Sequence, residues 1–233
     1  AYEMLRSLVG SEMCIRDSSS IVAVIILSML TNSFASDLAV ASPTSLIPSP
    51  YKNFGKVDIL VLNAASNPYY GPLANITDEA FEKVMHNNVK SNLWLSNMIL
   101  PKMAEAGGGK VIVISSIAGI QGSGVLGAYS ISKTADLGLV RSLAVEWGPK
   151  NITVNALSPG PFQSNMTNFA IGNTKGTTRV SKRVPLKRIG QTDDIAASIQ
   201  FLCGKGGSYV TGAILPISGG INVSTGPSIF GED

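Results

Sequence analysis

Histidine is nearly absent from this chain: His86 is the only one among 233 residues. A Ser-His-Asp triad would have to be assembled around that single imidazole, which argues against hydrolysis of that type. Cysteine is almost as scarce. Cys14 and Cys203 lie far apart, with no Cys-x-x-Cys or Cys/His cluster. Neither a zinc site nor a disulfide framework follows, and a reducing compartment is expected. Charge is sparse too: 14% of residues are charged, the net charge is +3, and no Lys/Arg stripe runs beside aromatic residues. Nothing there calls for a nucleic-acid partner. The apolar run Ile21 to Leu30 is about half the roughly 20 residues that cross a membrane, so no membrane partner is expected. With Arg16 before it and Phe34-Ala35-Ser36 after it, the run imitates a signal peptide counted from Met13. The rest of the chain carries no disulfide framework to match export.

What is abundant is apolar. Hydrophobic residues make up 45% of the chain, with 24 glycines, a mix that excludes intrinsic disorder. The length suits one domain able to bury its own core. From Lys52 onward, apolar runs of strand length alternate with segments of helical period. Val57 to Leu62, Lys110 to Ser115, Ile152 to Leu157 and Ala213 to Ile217 are apolar on both faces, as in a parallel sheet covered on two sides. Between them, Thr77 is a candidate N-cap before Asp78 and Glu79, whose charges suit a helix N-terminus. That helix reads on toward Met103-Ala104, with Pro101 kinking or ending its last part. Ala128 to Trp147 is a second helix, stopped by Gly148-Pro149. A third starts at Thr192 and carries Ile195, Ile199 and Leu202 on one face. This alternation predicts an α/β fold: a doubly wound parallel sheet with right-handed crossovers.

Residues 1–50 read as an atypical segment that does not continue the pattern, and residues 51–233 as the domain proper. Pro43, Pro48 and Pro50 make a helix implausible near that boundary. Residues 5–18 resemble a translated sequencing-adapter run.

The chemistry centres on Tyr129 and Lys133, spaced i, i+4 so that a helix puts both on one face. An ammonium beside a phenol favours the ionised phenol, which makes tyrosine a usable proton donor and acceptor near neutral pH. The plainer alternative is a surface tyrosine packed along a lysine stem. Ser116 follows the strand that starts at Lys110, and the carboxyl ends of strands form the ligand crevice of an open α/β sheet. A hydroxyl there suits a substrate carbonyl oxygen. The competing role, a turn cap, fits Ser115 better.

These residues resemble the short-chain dehydrogenase/reductase family over residues 52–222, closest to its carbonyl reductase-like members. Asn63-Ala64-Ala65 is similar to the family's Asn-Ala-Gly signature, with alanine in place of glycine. Asn88 matches the catalytic asparagine, and Ser116, Tyr129 and Lys133 match the serine and the Tyr-x-x-x-Lys pair. Asn155 and Pro159-Gly160-Pro161-Phe162 match the turn along the nicotinamide, and Ser164 takes the place of a cofactor-bonding threonine. Tyr209 to Gly212 and Ser218-Gly219-Gly220 match the closing segment.

The resemblance implies a Rossmann-like catalytic domain over 51–233 and hydride transfer between NAD or NADP and a small carbonyl or alcohol substrate. It implies Asn88, Ser116, Tyr129 and Lys133 as catalytic residues. Asn63, Ala64, Ala65, Tyr129, Lys133, Pro159, Gly160, Phe162 and Ser164 are implied as cofactor-binding, with no metal. Tyr129 would exchange the proton with the substrate oxygen, which Ser116 holds. Lys133 would act on Tyr129 and bond the nicotinamide ribose, while Asn88 would keep a water in a proton relay. The resemblance also implies a homotetramer or homodimer, with Leu93, Leu95, Leu137 and Leu139 available for contact. The chain ends Gly231-Glu232-Asp233 without a Ser-Lys-Leu address, so the cytoplasm is the expected location.

One family feature is missing. Gly10 is the only glycine before residue 55, so the glycine-rich turn that lets backbone approach a pyrophosphate is not found, and the N-terminal strand-helix units are missing or replaced. Asp37 is a weak match to the family's aspartate near the adenine, and a solvated loop residue fits it equally. A catalytically silent fragment that keeps only oligomerisation surfaces is therefore the alternative function, with the apolar sheet edge left uncovered. Lys175, Arg179, Lys182, Arg183, Lys187 and Arg188 lie in the family's substrate loop and suit either an acidic acyl-thioester substrate or plain solvation. Tyr70 and Phe169 suit a substrate pocket or packing.

Overall fold

The computed structural model describes residues 24–27, 51, 55–163, 167 and 171–224. Gly10, Cys14, Asp37, Ser164 and Phe169 lie outside the described residues. Five strands, β1 (Val24–Leu27), β2 (Ile59–Leu62), β3 (Gly109–Ile114), β4 (Ile152–Pro159) and β5 (Ile214–Ile217), form one sheet in chain order. Every neighbouring pair is parallel. The helices are α1 (Asp78–Met85), α2 (Ser91–Glu105), α3 (Gly127–Trp147), α4 (Thr174–Arg183) and α5 (Thr192–Cys203).

Burial explains the continuous apolar runs. All four residues of β2 are buried, because both faces of the sheet are covered. Leu60, Val111 and Val154 point to one face, where Ile99 and Met103 of α2 and Leu137 and Val140 of α3 pack. Ile59, Val61, Ile112 and Leu157 point to the other, against Ile195, Ile199 and Leu202 of α5. Each such aliphatic side chain contributes roughly 1.5–3 kcal/mol by leaving water.

Four expectations need correction. The β2 edge expected to be uncovered is paired, because Val24–Leu27 lies in parallel register with Ile59–Leu62. Not every crossover is right-handed. The strands step in one direction while α3 and α5 lie on opposite faces, so the β3–β4 and β4–β5 connections have opposite hands. Of the two outcomes expected at Pro101, a kink or an end, the helix does not end there: it runs to Glu105, with Ile99, Leu100 and Met103 buried around the proline. Burial there outweighs the one lost backbone bond. Of the leucines expected to be free for association, Leu95 and Leu137 belong to the core, whereas Leu93 is 41% exposed.

The expected basic substrate loop contains a helix, α4, started by the Asn173 side chain accepting the Gly176 N–H at 2.9 Å. Arg188 from this stretch pairs with Asp194 at 2.7 Å near the start of α5. Asp194 also accepts the Gln191 N–H at 2.8 Å and completes a capping box, which satisfies amide groups that would otherwise lack partners.

Candidate active site

Because the strands are parallel, their carboxyl ends share one edge of the sheet. Asn63-Ala64-Ala65 leaves β2 there, Ser116 follows β3, Gly160 follows β4 and Ser218 follows β5. Ala64 and Ser218 are buried, while Asn63, Ala65, Ser116, Pro159, Gly160 and Phe162 are partly exposed. A Cβ at Gly160 would stand 2.8 Å from the Ser218 Cα, so glycine lets the exits of β4 and β5 approach.

Helix α3 delivers Tyr129 and Lys133. Lys133, only 1% exposed, donates from Nζ to the Ile114 carbonyl at 2.9 Å, the last residue of β3. The same nitrogen lies 5.8 Å from the centre of the Tyr129 ring, and Tyr129 itself is half-buried. The close approach of α3 depends on Gly119, where a Cβ would meet the Lys133 carbonyl oxygen at 2.8 Å.

The turn-cap role expected of Ser115 falls to Ser116. Ser116 Oγ accepts the Ala118 N–H at 3.1 Å and caps the turn Ile117–Gly119, whereas Ser115 Oγ donates to the Lys133 carbonyl at 2.9 Å. Capping uses an acceptor site on Ser116 Oγ and leaves its proton for another oxygen.

Asn88 lies in a π-turn, His86–Lys90, between α1 and α2. Such turns widen a helix and recur at functional sites. The Asn88 side chain accepts the Ser66 N–H at 2.7 Å and donates to the Ser66 carbonyl at 3.0 Å and Ser132 Oγ at 2.9 Å. Its backbone carbonyl accepts from Asn92 Nδ2 at 2.7 Å. Asn155, by contrast, is tied to the segment before β5: it donates to the Val210 carbonyl at 2.8 Å and accepts the Ala213 N–H at 3.0 Å.

Two members of this centre escape a reading by motif, Asn92 and Asp136. Asp136 is fully buried and pairs with Lys133 Nζ at 3.0 Å. The signal was present: 133 and 136 share the buried stripe of α3 with 137 and 140, so charge stands at two positions of helical period beside buried leucine and valine. Tyr70, a candidate for the substrate pocket, is 43% exposed. Among the described residues no three metal-ligating side chains gather, and no helix is long and apolar enough to cross a membrane.

A family model described as enoyl-(acyl carrier protein) reductase matches residues 41–222. Among curated relatives, dehydrogenase/reductase SDR family member 4 of Sus scrofa is 38% identical over 71% of this chain and 60% of its own length. The Homo sapiens protein of that name is 35% identical over 75% and 63%. This chain thus spans about three fifths of the length of those relatives. Of solved structures, a 7α-hydroxysteroid dehydrogenase complexed with NADH and 7-oxo glycochenodeoxycholic acid is 34% identical, with a TM-score of 0.71 over 76% of this chain and 68% of that one. The Pseudomonas aeruginosa RhlG/NADP active-site complex is 32% identical, with a TM-score of 0.67 over 82% and 71%. With most of its residues matched by that family model and with the motif residues gathered on α3 and at the carboxyl edge of one parallel sheet, the chain belongs to the short-chain dehydrogenase/reductase family.

Proposed function

We propose that this chain is an NAD- or NADP-dependent oxidoreductase that interconverts a small carbonyl compound and its alcohol, of the carbonyl reductase kind. The observation that carries the reading is Lys133, buried and pinned to the end of β3 by the Ile114 carbonyl, with the Tyr129 ring 5.8 Å away. That arrangement puts a fixed positive charge beside a phenol at the edge where ligands bind in such sheets. The intact constellation weighs against the silent-fragment alternative.

The residues present fit the nicotinamide end of a dinucleotide. Asn67 Nδ2, beyond the β2 exit, and Ser158 Oγ, at the end of β4, are buried without a partner among the described residues, as groups awaiting a polar ligand would be. Asn63, Ala64 and Ala65 would hold the cofactor from the β2 side, and Pro159, Gly160 and Phe162 from the β4 side. Tyr129 and Lys133 would face its ribose, and Ser164 belongs to the same expectation. Bound NAD or NADP would supply the hydride chemistry.

The chain's own groups move the proton and hold the oxygen. Tyr129 gives its hydroxyl proton to the substrate oxygen in reduction and takes it back in oxidation. Ser116 donates its free hydroxyl proton to the same oxygen and stabilises charge developing there. Lys133 stabilises the phenolate left behind, and Asn88 would keep a water in the proton relay. The same reading carries a cytoplasmic location and self-association through α2 and α3. The test is fluorescence titration with NADPH and NADH. Saturable binding of one of them is expected, and no binding of either at about 1 mM would overturn the reading.

A further inference from the structure

Lys133 is 1% exposed, and an ammonium so thoroughly removed from water sheds its proton unless something compensates. A carbonyl alone, that of Ile114, is a weak compensation. The other partner is Asp136, one turn further along α3, whose Oδ2 lies 3.0 Å from Lys133 Nζ. Its second oxygen, Oδ1, accepts from Asn92 Nδ2 of α2 at 3.0 Å, and the same amide nitrogen donates to the Asn88 carbonyl at 2.7 Å.

The orientation of Asn92 is set by its two acceptors. Its Nδ2 serves two acceptors, while its Oδ1 is buried with no partner. Turning the amide over would set that oxygen against both the Asn88 carbonyl and the Asp136 oxygen, two acceptors facing a third. In this arrangement Asp136 accepts from Asn92 through Oδ1 and pairs with Lys133 through Oδ2.

We propose that Asp136 is a positioning residue of the active centre: its buried carboxylate keeps Lys133 charged and in place, and through Asn92 fixes the carbonyl of Asn88 at the π-turn. One buried anion thereby sets the geometry of two of the four residues to which catalysis is assigned. The inference rests on the role proposed for Lys133. Lys133 of α3 is the charged group that acts on Asp136; Asn92 of α2 is neutral. Burial pushes the Asp136 carboxyl above the ordinary carboxylate range, and Lys133 and Asn92 pull it back.

The test follows the ε-carbon resonance of Lys133, assigned with Lys133→Met, in 13C-lysine-labelled protein without added ligand. In the unsubstituted protein the resonance is expected at the ammonium position from about pH 6 to 9, and in Asp136→Asn it is expected to move to the neutral-amine position within that window. Asp136→Glu, which restores the charge, is expected to return it toward the ammonium position. An unmoved resonance in Asp136→Asn would overturn the proposal. So would a neutral Lys133 at about pH 7 in the unsubstituted protein, a result that needs no variant to fold. Neither outcome depends on NADPH binding, so failure here is distinct from failure of the oxidoreductase reading.

Discussion

Single residues carry ionisation states that can be measured. The Arg188 guanidinium and the Gln191 N–H hold the Asp194 carboxyl down at about 2. A depressed carboxylate contributes stability above its unfolded value and loses it as pH falls through the folded one. Asp194→Asn is therefore expected to cost about 0.5–1 kcal/mol above roughly pH 5, a small sum because Arg188 and Asp194 are 51% and 31% exposed. The gap between variant and parent should close as the solution is acidified toward pH 2. Chemical denaturation across that range checks it, and a gap that widens on acidification contradicts it. Cys203 shows the opposite displacement: burial pushes its thiol up to about 11. Alkylation at Cys203 near pH 7, followed by peptide mapping, is expected to run about a hundredfold slower than at an ordinary exposed thiol. An ordinary rate would show that the thiol is not buried.

Elements explain which site residues were legible. Tyr129, Lys133 and Ser116 stand out because a four-residue helical spacing and a strand exit are visible in one dimension, whereas Asn88 is legible through the family resemblance alone. Asn92 and Asp136 were missed although their periodicity was on view, because a charge on a buried stripe makes sense only once its partner on another helix is known. That Ser116 and not Ser115 caps the turn was also beyond reach, since which hydroxyl meets a backbone N–H depends on φ and ψ in the turn. The fit of α3 against that turn gives a test at this scale. Gly119→Ala would place a Cβ 2.8 Å from the Lys133 carbonyl oxygen, and backbone atoms cannot step aside as a flexible side chain can. A loss of about 1–3 kcal/mol is expected, read from the urea midpoint, and an unchanged midpoint would show that α3 does not seat against this turn.

For the whole molecule, the alternation of strand-length and helix-length segments sufficed to read a parallel sheet covered on both faces. The four strands from β2 onward fall within two residues of their expected bounds. Strand β1 was not legible, because its apolar run has the look of a leader and lacks the punctuation seen elsewhere; its pairing with β2 is a long-range fact. The hand of the last crossover was hidden for a similar reason, since it depends on which face α5 covers. Exposed apolar side chains on the outer helices, Leu93 at 41% and Val145 at 81%, accord with self-association. Sedimentation is expected to give twice or four times the 24.3 kDa of one chain, and a monomer at micromolar concentration would refute that part of the reading.

All three scales converge on the phenol of Tyr129, held beside a buried ammonium at the carboxyl edge of the sheet. The most direct measurement compares Tyr129→Phe with the parent protein, following cofactor binding by fluorescence and carbonyl-dependent oxidation of NADPH or NADH by absorbance. The expected result is cofactor affinity within about twofold and turnover reduced by roughly 10²–10⁴-fold, the usual worth of a positioned proton donor. Turnover at the parental rate in the phenylalanine variant would contradict the assignment of the proton to this tyrosine.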